Sequence, residues 1–313
     1  MGYWGGPDHV YRPMRIGISV CSNYRVQNPR DGARWMIERA AAARAADLDS
    51  LFVGDHHVTA GPYYQNVAIL GRMLAEWHDR PAGALFLLPL WHPVLLAEQI
   101  GTLASIMPNR FIMQCGLGDR PQSEGMGVDF SRRVGMFEEC IRIMRALWAG
   151  DTVSTDRYWN LRDARISPVP AEPVEIWVGA TVLPAINRTA RIADGWLGSP
   201  SLNQADAVKS LNMYRQACAE HSKPLGSAAL RRDICIARTS QRAREGVAPE
   251  LAKGYRGFGE EALVIGSIAE VVEQFGRYRD MGYTDIIVRN ISQNQAVALE
   301  TIACLGEVRA QLV

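Results

Sequence analysis

The chain has 313 residues, with 34 Lys and Arg against 33 Asp and Glu, so its formal net charge is +1. This balance, without any dense block of basic residues, argues against nucleic acid or a membrane surface as a partner. Hydrophobic residues make up 48% of the chain, which excludes a disordered or fibrous protein and suffices for a large core.

The cysteines and the start of the chain bear on its location. The six cysteines are scattered and form no Cys-x-x-Cys motif, and the first eight residues do not form a charged segment followed by an apolar one. No apolar run approaches the ~20 residues of a membrane helix. We therefore expect a reduced, cytoplasmic protein without a leader or a membrane anchor.

Short apolar runs alternate with amphipathic stretches along the chain. The apolar runs predict strands at residues 15–20, 50–54, 82–88, 111–116, 174–178, 195–199, 233–240 and 284–289. The stretches that follow them predict helices at residues 31–47, 66–77, 94–107, 134–150, 182–193, 204–221, 268–281 and 293–312. Residues 151–173 and 241–266 interrupt the alternation and are predicted to be insertions, the first a loop or a hairpin and the second an irregular stretch.

This alternation predicts an α/β fold. Eight strands, each followed by a helix, are the number that closes a (β/α)₈ TIM barrel. A doubly wound open sheet is the alternative fold. We expect residues 1–313 to form a single barrel domain with the two insertions.

Catalytic groups of such barrels come from the C-terminal ends of the strands and the loops after them. The second strand is followed by Asp55, His56 and His57. A histidine there titrates near neutral pH, and a neighbouring carboxylate can fix its tautomer. The alternatives are a helix-capping aspartate with a structural histidine, or a metal site. Adjacent residues of an extended segment point to opposite sides, which disfavours the metal.

The fifth strand is followed by Gly179, Ala180 and Thr181, just before a predicted helix. Free backbone amides and a hydroxyl at a helix start favour a phosphate. A tight turn in which Thr181 caps the helix explains the same residues equally well.

Other strand ends carry weaker signals. Trp91 could line the site or only precede a helix, Cys115 could line it or pack in the core, and Arg289 could pair with an anionic substrate group or with a barrel carboxylate. The Gly116-x-Gly118 pair resembles only part of a dinucleotide fingerprint.

The sequence also resembles the luciferase-like superfamily, which includes bacterial luciferase, FMN-dependent monooxygenases and F420-dependent dehydrogenases. The resemblance covers residues 14–312 and is carried, in this order, by SLFVGDHHV, LPLWHPVLLAEQIGTLASIMPNRF, GVDFSRRVGMFEECIRIMRALWAG, IWVGA, ARIADGWLGS and GSIAEVVEQF. It implies a barrel, usually dimeric, with the cofactor ring at the C-terminal ends of the strands.

The resemblance also implies roles for individual residues. His56 matches the histidine beside the reactive ring, with Asp55 in the acidic position before it. The third strand matches one with a non-prolyl cis peptide under the ring, which here falls at Leu85–Phe86. Further cofactor contacts are expected at Cys115, Gly116, Gly179, Ala180, Thr181, Gly198 and Ser199, and substrate contacts at Trp91, Asp119 and Arg289.

Two positions bear on which activity of the superfamily the resemblance implies. Gly116-Leu117 replaces the cysteine and arginine of luciferase itself, so light emission on a long-chain aldehyde is not predicted. Asp119 stands where some F420-dependent sugar dehydrogenases have an acid.

Several functions remain open from the sequence. We favour a two-component monooxygenase that uses reduced FMN, supplied by a separate flavin reductase, and O₂ on a small organic substrate. The alternative is hydride transfer between F420 and a substrate without oxygen. A non-catalytic flavin-binding protein and a metal-dependent hydrolase are more distant alternatives. We expect a homodimer with no bound metal.

Overall fold

The computed structural model describes residues 14–312. The start of the chain, where we expect no leader, lies outside these residues. Within them, no helix is long and apolar enough to cross a membrane.

The strands form one closed parallel barrel, which confirms the predicted fold over the open sheet. The barrel order is β1-β2-β3-β4-β7-β8-β9-β11, and β11 pairs back with β1. The strands are β1 (Arg15–Val20), β2 (Ser50–Val53), β3 (Ala82–Leu87), β4 (Phe111–Gly116), β5 (Val153–Thr155), β6 (Leu161–Ala164), β7 (Glu175–Gly179), β8 (Gly195–Gly198), β9 (Ser227–Ala237), β10 (Val264–Ser267) and β11 (Asp285–Asn290).

Helices surround the barrel and cover its outer face. They are α1 (Pro29–Ala45), α2 (Asn66–Trp77), α3 (Pro93–Ile106), α4 (Arg120–Gly125), α5 (Arg133–Trp148), α6 (Leu183–Ile192), α7 (Gln204–Glu220), α8 (Ser240–Leu251), α9 (Ile268–Met281) and α10 (Gln295–Leu312). The main apolar core lies between these helices and the outward residues of the strands.

The barrel interior has its own apolar layer, formed by residues of five strands: Phe52, Ile112, Trp177, Ala229 and Ile287. Gly83 on β3 lies so close to β4 that a Cβ there would be 1.8 Å from the carbonyl oxygen of Ile112. The apolar layer fills the middle of the barrel and leaves only the two ends for polar groups.

The insertions match the prediction in part. Residues 151–173 contain the antiparallel hairpin of β5 and β6, one of the two predicted alternatives, but residues 241–266, predicted to be irregular, contain most of α8 and the start of β10. β10 pairs with the C-terminal half of β9, from Val264 opposite Ile234. Since β9 begins at Ser227 and not at the predicted residue 233, it carries charged side chains inside the barrel, which the apolar pattern did not indicate.

The expected cis peptide at Leu85–Phe86 is wrong. Among the described residues the cis bond is Ser167–Pro168, and Leu85–Phe86 is trans. The physical reason is the regular ladder with β4, in which Leu85 pairs with Gln114 and Phe86 with Cys115.

Candidate active site

A cavity of about 180 Å³ opens at the C-terminal ends of β9, β11, β1, β2 and β3. Four residues predicted from the sequence line it: Asp55, His56, Leu85 and Arg289. The cavity is smaller than the ~300–1,000 Å³ of common ligand pockets. It therefore fits the reacting part of a ligand, with the remainder extending from its mouth.

His56 and His57 point in different directions, as the sequence predicts for adjacent residues. The His56 ring lines the cavity, with its centroid 5.7 Å from that of Tyr63. Burial raises the pKa of Tyr63 to about 12, so its hydroxyl keeps its proton beside His56 at neutral pH.

Asp55 is buried and tightly held. One carboxylate oxygen accepts hydrogen bonds from the Leu87 amide and the Trp91 indole, both at 2.8 Å. The other oxygen lies 3.2 Å from Nε2 of His57, in an alignment that forms no hydrogen bond. The expectation that Asp55 orients His56 is therefore wrong: His57 reaches it because the two histidines diverge.

A second carboxylate, Asp119, stabilises the loop after β2, which carries His56 and His57. It caps α4 by accepting from the Gln122 amide at 2.9 Å, and it also accepts from the Gln122 side chain at 2.9 Å. The Gln122 side-chain oxygen in turn accepts from the His57 amide at 2.9 Å. Asp119, predicted to contact substrate, does not line the cavity and positions this loop.

Leu85 and Phe86 lie on opposite faces of β3. Leu85 faces the cavity, and its carbonyl oxygen accepts from the buried Asn66 side chain at 2.7 Å. Phe86 is buried among the helix-side residues, with its ring 5.5 Å from that of Trp91. Cys115 faces the helices in the same way. The side chains of Phe86, Trp91 and Cys115 therefore do not reach the cavity.

The predicted phosphate region lies at the ends of the neighbouring strands β7 and β8. Gly179 and Thr181 are exposed there, and a Cβ on Gly179 would meet only the Cys115 carbonyl oxygen, at 3.6 Å. The helix cap is Val182, without a side-chain hydrogen bond, so the interpretation of Thr181 as the cap is wrong. The amides of this turn lie beside open space into which a ligand can approach.

The remaining predicted residues lie near that turn and at the end of β4. Gly116 and Ser199 are partly exposed, whereas Ala180 and Gly198 are buried. The Ala180 carbonyl accepts from the Trp196 indole at 2.8 Å. None of these residues lines the cavity, so any contact with a ligand requires one that extends from the cavity mouth toward β7 and β8.

The cavity residues that sequence reasoning missed include a thiol and two arginines. Cys21 follows β1, Arg231 lies in β9, and Arg256 lies in the segment between α8 and β10. Arg231 faces inward beside the predicted Arg289 on the neighbouring strand, a position that the misplaced start of β9 concealed. Its spacing of two residues from the apolar Ala229 was the signal that could have identified it.

No group of three or more His, Cys, Asp or Glu that could hold a metal ion occurs within residues 14–312. Comparison with known proteins gives the family: its model, described as luciferase-like monooxygenase, matches residues 14–257. The chain belongs to the luciferase-like monooxygenase family.

Individual luciferase-like relatives differ in cofactor. An F420-dependent glucose-6-phosphate dehydrogenase of Beutenbergia cavernae is 29% identical over 184 residues, which cover 56% of this chain and 55% of that protein. The chain thus spans about half the length of this curated relative.

Two solved structures have the same fold over nearly their whole length. An F420-dependent secondary alcohol dehydrogenase in complex with an F420-acetone adduct has a TM-score of 0.80 at 16% identity, and covers 96% of this chain and 99% of its own. The oxygenating constituent of 3,6-diketocamphane monooxygenase from Pseudomonas putida, in complex with FMN, has a TM-score of 0.81 at 17% identity, with the same coverages. These likenesses support the barrel fold.

Proposed function

We propose that this luciferase-like protein transfers a hydride between F420 and a polar substrate at the C-terminal end of its barrel. The observation that carries the proposal is the polar lining of the cavity, which His56 shares with three arginines. A monooxygenase benefits from a dry site that protects its reactive oxygen species. A charged cavity suits a hydride transfer that involves no oxygen.

The residues present fit a flavin-type cofactor. Leu85 offers an apolar surface in the same cavity as His56, where the ring would lie. The free turn at Gly179 and Thr181 would hold the phosphate, with Ser199 next to it. When bound, the deazaflavin supplies a carbon that accepts or donates a hydride.

His56 is the residue that we assign to proton transfer. An alcohol that loses a hydride must also lose its hydroxyl proton, and the His56 imidazole can accept it from a substrate in the cavity. Asp55 acts indirectly: its bonds to the Leu87 amide and the Trp91 indole fix the backbone that carries His56.

Oxygenation with reduced FMN, delivered by a separate flavin reductase, is the second candidate. The match of residues 14–257 to a monooxygenase family model favours it. In this case we expect oxygen uptake with reduced FMN in the presence of substrate.

Titration of the apoprotein with F420 and with FMN tests the proposal. We expect F420 to bind with a dissociation constant in the micromolar range or below, and FMN to bind at least about tenfold more weakly. Tight binding of FMN alone would contradict F420 as the cofactor and support the monooxygenase. If neither cofactor bound, both functions would be wrong.

The assembly is also a proposal. We propose that residues 1–313 form one domain, that two copies form a homodimer, and that the protein works in the cytoplasm on a small molecule. Light scattering of the purified protein should give twice the mass of 34.6 kDa, and a monomeric mass would contradict the dimer.

A further inference from the structure

Three arginines form one wall of the cavity. Arg231 and Arg289 come from the paired strands β9 and β11, where Arg231 is opposite Ile287 and Arg289 is opposite Asp233. Arg256 enters from the segment between α8 and β10, with a left-handed backbone at φ 51°. This wall adjoins β1 and β2, and β2 leads to His56.

The wall contains more positive than negative charge. Its carboxylate, Asp233, is fully buried and accepts from Arg256 and from the Tyr255 hydroxyl, both at 2.8 Å. Arg231 lies 3.6 Å from the other oxygen of Asp233. Three guanidinium groups therefore share one carboxylate, and one of its oxygens already accepts from both Arg256 and Tyr255.

Arg289 has no carboxylate of its own within residues 14–312. The side-chain partner it has there is the Cys21 sulfur, 3.0 Å from Nη2. The buried Nε atoms of both Arg289 and Arg231 have no hydrogen-bond acceptor among the described residues. Leaving such donors unpaired in a protein costs free energy.

The pKa values of Arg231 and Asp233 agree with this excess of positive charge, whereas burial would lower the pKa of Arg289 but Cys21, Tyr255 and Asp233 together raise it. Burial, together with repulsion from Arg289 and Arg256, lowers the pKa of Arg231 to about 10, against the attraction of Asp233. Burial alone would raise the pKa of Asp233, but the three arginines hold it below its usual value. The wall is thus short of negative charge.

We infer that this wall binds an anionic group of the substrate, a phosphate or a carboxylate, through Arg231, Arg256 and Arg289. The inference rests on the proposed function and adds the substrate class. A guanidinium group offers paired donors that match both anions. The anion would lie in the same cavity as His56, which places the reacting carbon of the substrate between them.

The cofactor could in principle be the source of such an anion. Its phosphate is proposed at Gly179, Thr181 and Ser199, which lie on β7, β8 and the turns after them. The arginines belong to β9, β11 and the insertion. The experiment must therefore separate a substrate anion from the cofactor phosphate.

Calorimetric titration of the apoprotein with inorganic phosphate, at constant ionic strength, tests the anion site. We expect millimolar or tighter binding to the native protein, and binding weakened about tenfold or more in Arg289→Gln, since a charge-assisted hydrogen bond is lost. Arg256→Gln, outside the barrel strands, should show the same loss if Arg289→Gln folds poorly. Arg277→Gln, an exposed arginine paired with Glu273, is the control and should bind normally.

Repetition with the protein saturated with F420, or with FMN if only FMN binds, separates the two sources. Phosphate should still bind, and the cofactor affinity of Arg289→Gln should stay within about twofold of native. Loss of phosphate binding on saturation would overturn the inference, because the arginines would then hold the cofactor. Absence of phosphate binding to the apoprotein would also overturn it. Because the phosphate titration needs no cofactor, failure of the anion site and failure of the proposed function are distinguishable.

Discussion

The two ends of the barrel use arginine in opposite ways. At the N-terminal end, Arg15 donates two hydrogen bonds of 2.7 Å to Asp285, and Arg309 donates two to Asp49, at 3.1 and 2.7 Å. At the C-terminal end, Arg231, Arg256 and Arg289 share Asp233.

The difference separates stability from function within one fold. At the N-terminal end, Arg15 and Arg309 are satisfied by carboxylates. Where the cavity opens, donors are left without acceptors, an arrangement that costs stability and that a ligand can complete. Catalytic ends of such barrels are therefore expected to tolerate neutralising substitutions better than the opposite ends.

The largest expected effect is on turnover at the C-terminal end. His56→Ala should lower kcat about 10²- to 10⁴-fold, because general acid–base catalysis contributes that much, while the unfolding free energy changes little. The assay follows F420 absorbance with anionic alcohols. His221→Ala, an exposed histidine after α7, is the control, and full turnover of His56→Ala would contradict the assigned role.

At the N-terminal end the expected effect is on stability. Asp285→Ala should lower the unfolding free energy by about 2–3 kcal/mol, because Arg15 loses its bidentate partner but remains partly exposed to water. Urea unfolding measures the change. Arg289→Gln should change stability by less than about 1 kcal/mol, and equal losses in the two variants would remove the contrast between the ends.

Removing the positive charge of Arg231, which Arg289 and Arg256 repel, should stabilise the protein. Folding lowers the pKa of Arg231 to about 10, so the folded state disfavours its charge, and this cost is fully present at pH 7 and declines only above pH 10. Arg231→Met should therefore raise the unfolding free energy by about 1 kcal/mol. A loss of stability would mean that Arg231 is well paired with Asp233.

Asp119 distinguishes a positioning role from substrate binding. Asp119→Ala removes the α4 cap and should cost about 1 kcal/mol, whereas Asp119→Asn keeps a capping oxygen and should stay near native stability. Neither variant should alter phosphate binding. A large rise in the substrate KM of Asp119→Asn at unchanged stability would restore the substrate contact predicted from the sequence.

The smallest expected effect is on Cys21. Burial alone would raise the pKa of its thiol, but Arg289 lowers the net value below 9.0, whereas burial raises the pKa of Cys115. Alkylation by iodoacetamide, followed by mass spectrometry over a pH series, should modify Cys21 at lower pH than Cys115. The difference should shrink in Arg289→Gln, and equal pH profiles in the native protein would contradict the Arg289 contact.

Periodic apolar patterns were sufficient to predict most of the fold. The bounds of β1, β4, α2 and α9 coincide with the predicted ones. The two strands are nearly continuous buried runs, and the two helices each bury one apolar face. β9 was misplaced because Arg231, Arg232 and Asp233 interrupt its middle. Arg232 contacts Tyr278 of α9 outside the barrel, whereas Arg231 lies inside it, at the cavity.

The site was predictable only in part. The rule that catalytic groups follow strand ends correctly placed Asp55, His56 and Arg289 at the cavity. It could not indicate which histidine meets Asp55, since that depends on the turn after β2, nor that Arg256 enters from a distant insertion. Such contacts are set by tertiary packing, which one sequence does not encode in its local pattern.

A crystal structure of the protein with F420 and inorganic phosphate tests the central claim most directly. We predict the deazaflavin ring against Leu85 and His56, its phosphate at Gly179 and Thr181, and the inorganic phosphate on Arg289 and its neighbours. A cofactor bound away from this cavity, or His56, Leu85 and Thr181 contacting no common ligand, would contradict the account.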